Sequence, residues 1–158
     1  MIREVSATFT RPADTTAYAD GDLVANSTTA GSVVPLAFSV GEEGCYITRI
    51  RLEKSDTDVT AATFSIRLFL QSPTVGVGDN AAITHDVSGH IATITLGTMV
   101  SGTDDDYITL NAGDTNLGVP ILVPGRQGSK IFGLVTAGAA YTPANAEVFT
   151  CYITYAKG

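Results

Sequence analysis

The residues most able to do chemistry crowd into one short stretch: His85, Asp86, Ser88 and His90. A Ser-His-Asp hydrolase needs such groups to converge in space beside an oxyanion hole. Crowding along a loop is not convergence, and no Gly-x-Ser-x-Gly elbow presents a nucleophile. The stretch reads as a solvated loop before a strand. As metal ligands, His85 and His90 require a third partner in Asp79 or Asp86, and their spacing matches no established ligand motif. Asp104-Asp105-Asp106 offers oxygen ligands for a hard cation but lacks the alternating ligands and sixth-position glycine of an EF-hand, so it reads as a charged turn. Asp14 and Asp20-Gly21-Asp22 are read in the same way, the latter as a turn. Gly76-Val77-Gly78-Asp79-Asn80 lacks the Lys-Ser/Thr of a P-loop, and no helix follows it. Two acids could meet for glycoside cleavage. The chain has no Trp, so Tyr18, Tyr107 and Tyr141 would have to supply any sugar platform, and packing is their simpler role. The expectation is a protein that is not an enzyme, with no catalytic residue, no metal and no cofactor.

The elements that would have to position these groups are strands. Helical periodicity with caps is absent from the 158 residues, whereas period-2 alternation recurs. In residues 62–71, Phe64, Ile66, Leu68 and Leu70 share one face, with Ser65, Arg67 and Phe69 on the other. In the next clear case Tyr46, Thr48, Ile50 and Leu52 oppose Ile47, Arg49, Arg51 and Glu53, the charged set outward. Near the end of the chain Phe149, Cys151, Ile153 and Tyr155 form an inward face. Further strands are predicted over residues 5–9, 33–40, 91–99, 107–110, 119–123 and 130–137. Dense Gly, Asn, Asp and Pro punctuation separates them. Eight or nine short strands without crossover helices read as an antiparallel β-sandwich, jelly-roll-like. Two segments fit poorly as strands. Residues 11–22 are polar and contain Pro12, which is barred from a central ladder position, so they read as an extended arm or a long connection, with residues 1–22 as the extended N-terminal segment, or arm. Residues 73–85 form a second long loop, expected to be a contact surface.

Composition narrows the partners. At 44% hydrophobic and 16% charged, the chain is globular and unusually poor in charge, and it is read as one domain over residues 1–158. A net charge of −7 with nine scattered basic residues argues against nucleic acid, whose binding rests on clustered Lys and Arg. No apolar run reaches the roughly 20 residues of a membrane helix. Met1-Ile2-Arg3-Glu4-Val5 lacks the apolar core of a signal peptide, which predicts synthesis and folding in a cytoplasm. Cys45 and Cys151 are expected to be small buried hydrophobes, with a disulfide as the lesser alternative.

One segment carries more than composition. The run Phe9-Thr10-Arg11-Pro12-Ala13-Asp14-Thr15-Thr16-Ala17-Tyr18-Ala19-Asp20-Gly21-Asp22 resembles the N-terminal segment of a group of small tailed-phage virion proteins. The likeness is strongest over residues 8–27 and continues through residues 44–55, 64–71 and 78–81. The resemblance implies a small sandwich attached to the outside of a phage head as a capsid decoration, or cement, protein. It implies the major capsid protein or another virion protein as partner, a homo-oligomer with a trimer favoured, and location on the capsid surface after synthesis in the host cytoplasm. Phe9, Arg11, Pro12 and Tyr18 of the expected arm, and the outward pair Arg67 and Phe69, are the candidate interaction residues. The alternative is a host- or carbohydrate-binding module of a fibre tip or surface lectin, which shares the fold and differs in its loops.

Overall fold

A computed structural model of the chain describes residues 1–57, 62–118 and 120–157. Its strands are β1 (Ile2–Thr10), β2 (Leu23–Val24), β3 (Leu36–Ser39), β4 (Cys45–Lys54), β5 (Thr63–Phe69), β6 (His90–Thr98), β7 (Val100–Ser101), β8 (Asp106–Asn111), β9 (Ile121–Val123), β10 (Lys130–Ala137) and β11 (Val148–Lys157). Val119, placed by the sequence at the head of a strand, lies outside the described residues. All pairings are antiparallel and form two sheets. The six-stranded sheet runs β1-β11-β4-β8-β7, with β9 also on β4; the five-stranded sheet runs β2-β10-β5-β6, with β3 also on β10. The chain is an antiparallel β-sandwich.

Alternation supplies the filling between the sheets. Phe149, Cys151, Ile153 and Tyr155 of β11 meet Phe64, Ile66 and Leu68 of β5 in one continuous core. The Phe64 ring stands edge-on to Phe149 at 5.4 Å and to Tyr141 at 5.3 Å. Such edge-to-face pairs add about 0.5–1.5 kcal/mol to their burial. Gly133 of β10 faces this core where a Cβ would lie 3.3 Å from both Ile66 and Phe38, so only the bare backbone fits comfortably. Cys45 and Cys151 are free and buried, as small hydrophobes.

One face assignment is corrected. Simple alternation puts Tyr46 inside and Ile47 outside, yet Ile47 is buried and Tyr46 is 47% exposed. The ladder between β4 and β11 slips by one residue, pairing Arg49 with Thr154 and Ile47 with Tyr155. Thr48 is the extra residue. A bulge of this kind inverts the parity of everything beyond it.

The expected N-terminal arm is also corrected. Residues 2–10 are a full edge strand in nine-residue register with β11. Residues 11–22 then fold back onto the body: the Arg11 N–H donates to Glu147 O at 2.9 Å, and the Tyr18 N–H donates to Tyr141 O at 2.9 Å. The reason lies in the Arg11 side chain, which is buried and held by acceptors on three segments. It donates to the Tyr18 hydroxyl, to Asp14 O at 3.2 Å and to Ala144 O at 3.1 Å, and it pairs with Asp79 at 3.4 Å. A polar segment looks like an arm only until its polar groups find partners inside.

Residues 73–85 are not a free loop either. They fold into a flap closed by the Val75–His85 bridge and stitched to β2 by Leu23 N–H to Ala81 O (2.9 Å) and Asn80 N–H to Leu23 O (2.9 Å). Val75, Val77 and Ile83 press on the outer face of the five-stranded sheet, over Leu23, Ala25, Phe69 and Leu134. A second small core forms there. Phe69, expected to face outward as a lone surface ring or as part of an interface, is fully buried beneath this flap.

Candidate functional site

The two sheets therefore end up with unlike outer faces. The flap covers the five-stranded one. The six-stranded one stays open, and strand register lines up its outward side chains in rows across β1, β11, β4 and then β8 or β9. The first row is Ile2, Ala156, Tyr46 and Leu122. Ile2 is 73% exposed, Tyr46 47% and Leu122 55%, so three large apolar groups lie side by side in water. The next row is Glu4, Thr154, Arg49 and Asn111. Arg49 Nη2 donates to Glu4 Oε2 at 2.8 Å, and the Thr154 hydroxyl donates to the same oxygen at 3.1 Å. The Arg49 hydrogen bond holds the Glu4 carboxyl below its ordinary range. In the third row, Ser6, Tyr152, Arg51 and Thr109, the Arg51 guanidinium lies 4.5 Å from the centre of the Tyr152 ring and 3.0 Å from Glu53. Tyr107 and Val100, themselves register partners and both exposed, close the fourth row. Arginine and aromatic side chains with apolar neighbours, ordered on a rigid sheet, are the composition that subunit interfaces favour.

A cleft of about 560 Å³ opens at the flap's edge, lined by Arg67, Ile83, Thr84, His85, Val87, His90 and Thr93. Arg67 Nη1 lies 2.6 Å from His85 Nε2, and His85 Nδ1 lies 2.7 Å from Asp86 O. A carbonyl and a guanidinium fix the tautomer between them: Nδ1 carries the proton, and Nε2 accepts from Arg67. Both ring nitrogens are thus engaged. The Asp86 carboxylate accepts from the Ser88 N–H at 2.9 Å, which draws its pKa down. His85, Asp86 and Ser88 form successive local contacts, not a relay from carboxylate through imidazole to hydroxyl. The edges of both histidines meet the Phe69 ring, at 5.1 and 5.5 Å between centres. Among the described residues no three His, Cys, Asp or Glu side chains gather as a metal site.

The candidate interaction residues scatter. Phe9 is half-buried, stacks on Phe149 at 5.3 Å and lines an apolar groove of about 400 Å³ with Val34, Pro35 and Leu36. Pro12 is half-buried. Arg11 and Tyr18 are buried around Asp79, whose Oδ1 accepts from the Tyr18 hydroxyl at 2.6 Å and the Ala25 N–H at 2.8 Å. Burial pushes the Tyr18 phenol and the Asp79 carboxyl up, the latter against its hydrogen bonds. These residues anchor the fold. Arg67 lines the cleft, and Phe69 is buried against its two histidines. The apolar row of the six-stranded sheet leaves no mark in the sequence, because the bulge at Thr48 reverses the parity of Tyr46.

No family model and no curated protein matches the chain. Among solved structures, the chain is similar to one in the capsid asymmetric unit of cyanophage Pam1, at a TM-score of 0.30 and 14% identity, covering 98% of this chain and 83% of that one. A likeness at that TM-score carries no argument about partner or mechanism.

Proposed function

We propose that the chain is a non-enzymatic structural protein of a tailed-phage virion, a decoration protein that binds the outside of the assembled head and stabilises it. The open outer face of the six-stranded sheet carries this reading: a rigid surface with an apolar row beside Arg-aromatic rows. The sequence resemblance over residues 9–22 supplies the class of partner, a capsid protein lattice. Binding only the assembled lattice stabilises it by mass action, as RT ln(1 + [L]/Kd). A homotrimer spanning several capsid subunits adds avidity without new kinds of contact. A net charge of −7 suits the outside of a particle better than its DNA-filled interior.

The test is reconstitution. Purified protein is mixed with heads lacking decoration, and co-sedimentation and particle melting are followed. The expected result is saturable binding with a raised particle melting temperature, both lost in the Tyr46→Asp, Leu122→Asp double variant. Failure of the unaltered protein to bind any head overturns the reading. The second reading, a glycan- or host-binding module, draws on the cleft of Arg67, His85 and His90; glycan-array binding abolished by Arg67→Ala would favour it.

A further inference from the structure

Lys54, Asp106 and Glu147 play no part in that reading, yet they form the most unusual chemical arrangement in the molecule. All three side chains are essentially inaccessible to water. Strand register brings them together: Lys54 on β4 is paired with Asp106 on β8 and with Phe149 on β11, two residues after Glu147. Lys54 Nζ lies 2.9 Å from Asp106 Oδ2 and 3.9 Å from Glu147 Oε1. It donates to Asp56 O at 2.8 Å. Neither Asp106 oxygen accepts a properly directed hydrogen bond among the described residues, although the amine is in contact. A buried carboxylate without directed donors is a rarity that calls for a reason.

We propose that Lys54 and Asp106 are joined in the mature protein by an intramolecular isopeptide bond, an amide between Lys54 Nζ and Asp106 Cγ, formed in the folded chain with Glu147 as proton carrier. The step balances. From an ammonium and a carboxylate, the N–C bond forms and one C–O bond of Asp106 breaks. Two of the three ammonium protons leave with that oxygen as water, and nothing is oxidised or reduced. Glu147 relays these two protons in turn, taking each from the nitrogen and giving it to the departing oxygen, and ends unchanged. Its carboxyl is fixed for this by the Ala144 N–H at 2.5 Å. Burial raises its pKa, so it exchanges protons more readily than a solvated carboxylate.

Two physical effects drive the reaction. Holding nucleophile and carboxyl in contact replaces an encounter with a unimolecular step. Burying an ammonium and a carboxylate incurs a desolvation penalty that their attraction does not always repay, and a neutral amide removes both charges at once. Fully buried Phe149, the register partner of Lys54, walls the site on its core side. An open recess of about 320 Å³, lined in part by Lys54, Ser55, Asp104 and Asp105, adjoins the site and gives the released water a way out. The bond would tie β4 covalently to β8 inside the six-stranded sheet, whose outer face is the proposed contact surface. The inference does not depend on that function.

Mass spectrometry of the purified, denatured protein decides it. The expected intact mass is one water below that of the sequence, and proteolysis should yield a branched peptide linking the segments that contain Lys54 and Asp106. Asp106→Ala and Glu147→Gln should each restore the full mass of their own sequence. Full mass for the unaltered protein after prolonged incubation overturns the proposal, whatever the variants do. So does a water loss confined to one linear peptide, as a succinimide at Asp20-Gly21 would give.

Discussion

The outer faces of the two sheets began as similar strand surfaces and met opposite fates. On the five-stranded sheet, Phe69, Phe132 and Leu134 are roofed by Val75, Val77 and Ile83 of the flap. On the six-stranded sheet, Ile2, Tyr46 and Leu122 have no roof among the described residues and stand exposed. Sheets in a sandwich need only one buried face. A second buried face on one sheet therefore marks a stability element, and the apolar row left open on the other is the feature on which the proposed contact surface rests. An outward hydrophobic position is thus no guide to an interface until the loops have been placed.

Substitutions that strike the two faces should separate stability from association. Phe69→Asp places an unpaired charge in the roofed core and should cost more than about 4 kcal/mol, leaving the chain largely unfolded by circular dichroism. An unchanged denaturation midpoint with altered oligomer mass would return Phe69 to an interface role. Gly78→Ala comes next. Its Cβ would lie 2.0 Å from Thr28 O, a backbone atom that cannot step aside cheaply. Detachment of the flap should lower stability by about 2–3 kcal/mol and raise hydrogen exchange at Asn80 and Leu23, whose N–H groups bond across that seam. On the open face, Tyr46→Asp with Leu122→Asp should leave isolated-chain stability within about 0.5 kcal/mol while weakening lattice binding at least about tenfold. Equal loss of stability on both faces would dissolve the distinction.

Acid should divide the molecule more gently. Burial raises the Asp79 and Glu147 carboxyls. A carboxyl raised on folding stabilises the protein below its unfolded pKa, of about 4, and loses that contribution as pH climbs through the folded value. Glu4 on the open face is lowered, chiefly by Arg49. Its contribution is present above the unfolded pKa and lost as pH falls through the folded value. Melting temperature should therefore rise modestly from neutral pH towards about pH 5. Glu147→Gln should flatten that rise. Arg49→Ala should slightly reduce stability at neutral pH, the effect fading in salt because this pair is exposed. A melting temperature that falls monotonically from neutral pH would contradict the assignment of the buried carboxyls.

Much of this was legible residue by residue. Alternation in β5 and β11 identified Phe64, Ile66, Leu68, Phe149, Cys151, Ile153 and Tyr155 as core, because a pleated strand buries every second side chain. The same rule failed at Tyr46 and Ile47, where a single extra residue reverses parity and leaves no compositional mark. Lys54 and Asp106 did carry a signal. Each shares parity with apolar neighbours, Lys54 with Leu52 and Asp106 with Leu110. Their charge made a surface position the natural reading, since Lys and Asp are almost never buried unless paired.

Local chemistry written along the chain was enough for strand content, turn placement and the two-layer architecture, because hydrophobic period and turn residues act over a few positions. Tertiary structure alone decided that Arg11 turns inward, that residues 73–85 roof one sheet and leave the other bare, and that an amine and two carboxyls meet behind Phe149. Those outcomes depend on partners dozens of residues away, and the free energy of burying a polar or apolar group is set by the neighbours it finds there.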